Sequence, residues 1–143
     1  MPHRTQRYSK IGDTMKTIDL SGKWNYKTDI DDSQTIDSIK FENNNFNLPG
    51  STCDNRIGKK TEYFDKISKE AVRAPRERYE YIAPLWLQKT VNIPKDTDGK
   101  TVRLFMERVN ISSELWIDGV KTDRQIIELS TPHIYNLTGK ITP

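Results

Sequence analysis

The sequence predicts an all-β protein, built as an antiparallel β-sandwich, and three observations support this fold class. Fifteen of the 32 Leu, Ile, Val and Phe residues are isoleucine, a β-branched residue that favours strands. Short apolar runs, separated by turn residues, recur at roughly ten-residue spacing in the second half of the chain. One pair of runs flanks Asp118-Gly119, the strongest short-range signal for a β-hairpin. Together these features are typical of sheets made from many short strands.

Length and composition indicate one folded domain with a lean core. The chain has 143 residues, an apolar fraction of 34% and a formal net charge of +3, and a chain of this length can bury one sizeable core. We interpret residues 1–16 as a polar N-terminal tail and residues 17–143 as a single β-sandwich domain. We expect its last strand or strands to be missing, because residues 137–143 resemble the approach to a strand that does not follow.

The first half of the chain carries fewer strand signals. Apolar and polar residues alternate from Ile18 to Tyr26, which predicts a strand. Residues 28–47 are rich in Asp, Ser and Asn and predict a loop with one short strand near 38–42. Residues 48–52, Leu-Pro-Gly-Ser-Thr, have turn chemistry. Over residues 61–73, apolar side chains spaced by three and four allow one short amphipathic helix.

The second half predicts a series of strands. Residues 85–93 and 101–109 each place their aliphatic side chains on one face of an extended run. Residues 114–121 contain the Asp118-Gly119 hairpin, and further short apolar runs follow at 126–129 and 134–137. These strands would supply most of the sandwich.

Charge, hydropathy and cysteine content exclude several classes of function. A balance of 23 basic and 20 acidic residues is a weak signal for nucleic-acid binding. No run approaches the 18 or so apolar residues of a membrane span, and residues 1–14 lack the apolar core of a signal peptide. One cysteine and two histidines leave no intrachain disulfide and no recognisable metal-ligand spacing. We therefore expect no metal, cofactor, nucleic acid or membrane span. The oligomeric state stays open, as does the compartment: bacterial cytoplasm, or periplasm or secretion if a natural leader was removed.

Seven short motifs occur in the order and near the spacing of one enzyme family. They are Leu20-Ser-Gly-Lys-Trp24, Leu48-Pro-Gly-Ser-Thr52, Ala83-Pro-Leu-Trp-Leu-Gln-Lys89, Val91-Asn-Ile-Pro94, Gly99-Lys-Thr-Val-Arg-Leu-Phe-Met-Glu-Arg108, Leu115-Trp-Ile-Asp-Gly119 and Leu129-Ser-Thr-Pro-His-Ile-Tyr-Asn-Leu-Thr138. Over about residues 18–138 the chain resembles the N-terminal sugar-binding domain of glycoside hydrolase family 2. That family includes β-galactosidases, β-glucuronidases and β-mannosidases. Residues 53–78 depart from the family pattern and are not mapped onto it.

The resemblance implies a jelly-roll, galactose-binding-like β-sandwich that precedes an immunoglobulin-like domain and a catalytic barrel. In this family both catalytic glutamates lie in the barrel, so the resemblance implies that this chain alone is inactive. Glycoside hydrolysis normally needs two carboxylates flanking the scissile bond, and pairs within this chain, such as Glu107 with Glu114, rest on no motif. The implied partners are the downstream domains of the same enzyme and a carbohydrate.

The best candidate for a sugar contact is a loop at residues 128–133. Polar residues surround Pro132 between two apolar runs, which indicates a presented loop. The resemblance implies that this loop approaches the catalytic pocket and helps to shape the sugar subsite. The candidate residues are Glu128, Ser130, Thr131 and His133. The alternative for His133 is that it caps a strand end or faces solvent.

A second candidate is an aromatic cluster of Tyr79, Tyr81 and Trp86 beside Arg76 and Arg78. Aromatic faces suit the C–H faces of sugars, and arginines suit hydroxyls or carboxylates. Trp86 lies within a strand run and favours a structural interpretation, while the arginines are typical of a solvated loop. The sugar-facing candidates of this group are Tyr79, Tyr81 and Arg78.

Three functions are consistent with these patterns. The leading hypothesis is a non-catalytic domain of a hydrolase of β-linked glycosides, which braces the barrel and lends a loop to the pocket. The second is a free-standing carbohydrate-binding or adhesion module. The third is a polyanion- or nucleic-acid-binding module that uses Arg73, Arg76 and Arg78 together with the basic N-terminal tail.

Overall fold

The computed structural model describes residues 15–61, 78–122 and 124–142, together with Lys69. Within these residues the chain forms eleven strands and one 3₁₀ turn at Lys95–Thr97, and no helix reaches seven residues. The all-β prediction is confirmed. The helix predicted over 61–73 and the tail predicted over 1–16 fall mostly outside the described residues.

The strands are short and antiparallel. Their bounds are β1 (Gly22–Thr28), β2 (Glu42–Leu48), β3 (Lys59–Lys60), β4 (Tyr79–Glu80), β5 (Leu85–Gln88), β6 (Arg103–Met106), β7 (Ser112–Ser113), β8 (Trp116–Ile117), β9 (Val120–Lys121), β10 (Ile126–Ile127) and β11 (His133–Asn136). Antiparallel pairs join β1 with β2, β3 with β4, β6 with β11, β7 with β10 and β8 with β9.

The chain divides into two compact units. The first comprises residues 1–26 and 42–82, and the second comprises residues 27–41 and 83–143. The loop at 128–133 lies inside the second unit. Of the second candidate group, Arg78, Tyr79 and Tyr81 lie in the first unit and Trp86 lies in the second.

In the first unit, β1 and β2 form an antiparallel pair in which Trp24 lies opposite Phe46, with an irregularity before Tyr26. The buried Phe46 ring lies 6.1 Å from the ring of Tyr26, measured between centroids. The prediction of a short strand near 38–42 is wrong, because β2 begins only at Glu42. The polar run Glu-Asn-Asn-Asn-Phe-Asn-Leu carries little strand signal, and pairing with β1 extends it.

In the second unit, β6 and β11 pair with Leu104 opposite Tyr135 and Phe105 opposite Ile134. The alternation predicted for β6 is confirmed, since Leu104 is half-buried and Phe105 is exposed. In β11 the buried residues are His133 and Tyr135, whereas Ile134 is exposed. The inward face of β11 is therefore its more polar face, and polar side chains there need hydrogen-bond partners.

The Asp118-Gly119 hairpin is confirmed between β8 and β9, where Trp116 lies opposite Lys121 and Ile117 opposite Val120. Asp118 has φ 49° and Gly119 has φ 83°, so both central residues have positive φ, as a type I′ turn requires. Lys121 Nζ lies 5.2 Å from the centroid of Trp116 and 2.9 Å from Glu114 Oε2, which covers one face of that indole.

Trp86 has a structural environment in the second unit. Its ring lies 4.7 Å from that of Trp116 between centroids, tilted by 45°. Its indole N–H donates to Asp29 Oδ2 at 3.1 Å. These contacts agree with the structural interpretation of Trp86 rather than with a sugar platform.

Nowhere in the described part of the chain is there a helix with the length and hydropathy needed to cross a membrane.

Candidate functional site

The loop after β10 carries the exposed polar side chains of Glu128, Ser130 and Thr131. The Glu128 backbone N–H donates to the carbonyl of Ile111 at 2.8 Å, which continues the β7–β10 pairing by one residue. The Thr131 hydroxyl donates to Glu128 Oε2 at 3.1 Å. The loop thus presents a carboxylate whose orientation is supported by a neighbouring hydroxyl.

His133 does not belong to this exposed set. It is the first residue of β11 and is 0% exposed. Nδ1 lies 2.6 Å from Ser113 Oγ, and Nε2 lies 3.0 Å from the Glu128 carbonyl oxygen. The prediction of an exposed loop side chain for His133 is wrong, because the strand begins one residue earlier than expected and turns this imidazole inward. Both ring nitrogens have protein partners, so His133 has no group left for a sugar hydroxyl.

The hydrogen-bond partners distinguish the two tautomers that a neutral His133 ring could adopt. A backbone carbonyl can only accept, so Nε2 carries the hydrogen and donates it to Glu128 O. Nδ1 is then an acceptor and receives the Ser113 hydroxyl hydrogen. The Tyr135 hydroxyl donates to the Ser113 carbonyl at 2.7 Å and lies 2.9 Å from Ser113 Oγ. His133 and Tyr135 are buried and Ser113 is half-buried, and each polar side-chain group of the three has a partner, as burial demands.

Sequence reasoning missed Ser113 and Tyr135 as neighbours of His133. One signal could have linked two of them: His133 and Tyr135 are two residues apart, and residues i and i+2 of a strand share a face. Ser113 gave no such signal, since it lies twenty residues away in a two-residue strand.

The second candidate group occupies β4 and its flanks in the first unit. Tyr79 is half-buried and lies opposite Lys60 in the β3–β4 pair. Arg78 is exposed, and its carbonyl accepts the backbone N–H of Thr61 at 2.9 Å and the Thr61 hydroxyl at 3.2 Å. Tyr81 is half-buried near Gly58. Arg73 and Arg76 lie outside the described residues, so the polyanion hypothesis stays a prediction.

No group of three or more His, Cys, Asp or Glu side chains is close enough to hold an ion among those with described positions. Cys53 is half-buried as a free thiol.

A comparison with protein-family models and a comparison with curated protein sequences each return no match for this chain. The resemblance to glycoside hydrolase family 2 therefore rests on the seven motifs and stays a prediction.

Proposed function

We propose that this chain is a non-catalytic jelly-roll domain of a glycoside hydrolase that acts on β-linked glycosides. The domain would brace the catalytic barrel and contribute the loop at 128–132 to the substrate pocket. The observation that carries the proposal is the exposed carboxylate of Glu128, supported by Thr131, in the loop for which the family resemblance implies a pocket position. The all-β fold with antiparallel strand pairs is compatible with the proposed jelly roll.

The chemistry of the loop suits binding rather than bond cleavage. An ionised carboxylate is an acceptor with two oxygens, and the Thr131 hydroxyl donates to only one of them. Sugar hydroxyls are hydrogen-bond donors that can use the remaining acceptor sites. A single positioned carboxylate can orient a sugar in this way, whereas hydrolysis normally needs two carboxylates on either side of the scissile bond.

The coding region downstream of Pro143 distinguishes the leading proposal from a free-standing carbohydrate-binding module. The proposal requires an open reading frame of several hundred further codons. That frame should encode a catalytic barrel with two glutamates that match the catalytic motifs of the family. A stop codon shortly after Pro143 would contradict the hydrolase-domain proposal and would favour the free-standing module, which could use the same loop.

A further inference from the structure

We propose that His133 is a positioning residue for Glu128, and that the Glu128 carboxylate accepts a hydrogen bond from a hydroxyl of a neutral sugar. The His133 ring, held in turn by the Ser113 hydroxyl, holds the backbone at Glu128, at the start of the exposed loop. This inference rests on the proposed carbohydrate-binding function and adds to it a positioning device and a ligand class.

The hydrogen bonds around Ser113 and His133 join three strands of the second unit. The Tyr135 hydroxyl from β11 donates to the Ser113 carbonyl in β7 at 2.7 Å. Ser113 Oγ contacts His133 Nδ1 at 2.6 Å, and Ser113 itself lies opposite Ile126 of β10. His133 Nε2 then reaches the carbonyl of Glu128, directly after β10, at 3.0 Å. Ser113 and His133 therefore connect β7 and β11 to the first residue of the exposed loop.

Glu128 is held at three points. Its carbonyl accepts from His133, its backbone N–H donates to Ile111, and its carboxylate accepts from Thr131. An acceptor that is ordered before the ligand arrives loses less conformational entropy on binding. Since the His133 bond is the one that comes from a fully buried side chain, it is the contact that ties the loop to the core.

The charge of the loop indicates the class of sugar. Glu128 is the one acidic or basic residue in the segment Glu-Leu-Ser-Thr-Pro. A carboxylate accepts hydrogen bonds from hydroxyl donors and repels a second anion at short range. The loop thus favours neutral sugars over uronic acids and phosphorylated sugars.

The test uses the full chain, labelled with ¹⁵N, and three readouts. The first is the ¹⁵N signature of the His133 ring, which should show the Nε2–H tautomer. The second is hydrogen exchange of the Glu128 amide, and the third is the affinity for methyl β-galactoside as a neutral probe and for glucuronate as an anionic one. In the unmodified chain we expect glucuronate to bind at least about tenfold more weakly, given close like-charge repulsion.

Ser113→Ala removes the hydroxyl that holds His133 Nδ1, and Tyr135→Phe is its matched control. Tyr135→Phe removes a buried hydroxyl and its two contacts with Ser113. It leaves the hydrogen bond between Ser113 Oγ and His133 in place. We expect Ser113→Ala to speed exchange of the Glu128 amide and to weaken methyl β-galactoside binding, each by about 5- to 10-fold, the usual scale of one hydrogen bond. Tyr135→Phe should lower stability while both values stay within about twofold of the unmodified chain. Ser113→Thr, which keeps the hydroxyl, should restore both values.

Several outcomes would overturn the inference. An Nδ1–H tautomer would remove the hydrogen bond from His133 to Glu128. Equal effects of Ser113→Ala and Tyr135→Phe on Glu128 exchange and on methyl β-galactoside affinity would show that these hydrogen bonds only stabilise the fold. If Ser113→Ala does not fold, the tautomer of the His133 ring in the unmodified chain decides the positioning role. Equal affinity for glucuronate and methyl β-galactoside would overturn the ligand class alone. If the unmodified chain binds neither sugar, the proposed function and the ligand class are both overturned. The tautomer of His133 and the hydrogen exchange of the Glu128 amide would still test whether His133 positions Glu128.

Discussion

At the scale of single residues, one buried carboxylate organises the segment that follows β1. Asp29 is 3% exposed and accepts hydrogen bonds from the backbone N–H of Ser33, the backbone N–H of Gln34 and the Trp86 indole. Burial alone would raise the pKa of the Asp29 carboxyl, but these three donors outweigh that effect and lower the pKa below its ordinary value. The charged form is therefore the one that the folded second unit favours.

This shift predicts a specific acid sensitivity. Because the folded pKa of Asp29 is depressed, its contribution to stability is present above the unfolded pKa of about 3.9 and is lost as the pH falls through the lower folded pKa. Asp29→Asn should be less stable than the unmodified chain at pH 7 and should lose less of its stability on acidification below about pH 4. Urea unfolding at a series of pH values measures this difference. Asp31→Asn, which removes a charge from an exposed position of the same segment, should keep the acid sensitivity, and loss of it there would contradict the assignment to Asp29.

Alanine substitutions at two glycines of the first unit allow the cost of backbone strain to be measured apart from the cost of a steric clash. Gly58 and Gly22 have similar φ values of +102° and +96°, which disfavour side chains in both cases. A Cβ at Gly58 would lie 2.1 Å from the Glu80 carbonyl oxygen, whereas a Cβ at Gly22 meets nothing within 4 Å. Gly22→Ala should cost about 1–3 kcal/mol of unfolding free energy from strain alone.

Gly58→Ala should cost several kcal/mol more than Gly22→Ala, because β4 would have to move away from β3. Denaturant titration of the two variants provides the comparison. Equal losses would mean that the backbone at Gly58 relaxes without disturbing the β3–β4 pair.

At the scale of elements, local signals predicted some strands and missed others for physical reasons. The Asp118-Gly119 turn and the alternation of β6 depend on neighbouring residues, and both were predicted from the sequence. The strand β2 was misplaced because its residues have low strand propensity and depend on pairing with β1. The sequence did not predict that His133 and Tyr135 form the buried face of β11. Their polar groups are satisfied by Ser113, a partner that no local pattern reveals.

The β8–β9 hairpin should depend on its turn residues in a defined way. Gly119→Ala should lower the unfolding free energy by about 1 kcal/mol, since a side chain there has open space but an unfavourable positive φ. Asp118→Asn should leave stability within about 0.5 kcal/mol, because asparagine also suits the first position of a type I′ turn. Urea midpoints of both variants measure this. A larger loss for Asp118→Asn than for Gly119→Ala would show that side-chain contacts of Asp118, rather than turn geometry, determine the hairpin.

At the scale of the whole molecule, composition predicted a lean core, and the described residues bear this out. The buried apolar side chains among them are Phe46 and Ile57 in the first unit and Ile126 and Tyr135 in the second. The exposure of Glu128, Ser130 and Thr131 could be predicted from the sequence, because polar residues surround Pro132 there. The buried support of this loop could not be predicted, because the contact between Ser113 and His133 joins strands twenty residues apart.

The proposed function predicts that the isolated chain does not hydrolyse glycosides. No pair of carboxylates in the sequence has motif support as an acid and a nucleophile or base, and both are needed. Nitrophenyl β-galactoside, β-glucuronide and β-mannoside should release nitrophenol at the rate of a buffer blank. Turnover that survives repurification and disappears in a Glu107→Gln or Glu114→Gln variant would place catalysis in this chain and contradict the proposal.

Backbone amide shifts during a sugar titration test whether the loop at 128–132 contacts the sugar. The ¹⁵N-labelled chain is titrated with methyl β-galactoside, and the perturbed amides are assigned. We expect changes centred on residues 128–131 with a dissociation constant of about 1 mM or weaker, because one loop supplies only part of a pocket. Glu128→Gln should reduce the response, since an amide is a weaker acceptor than a carboxylate. Changes centred on Tyr79 and Tyr81, or no change at any amide, would contradict a sugar contact at this loop.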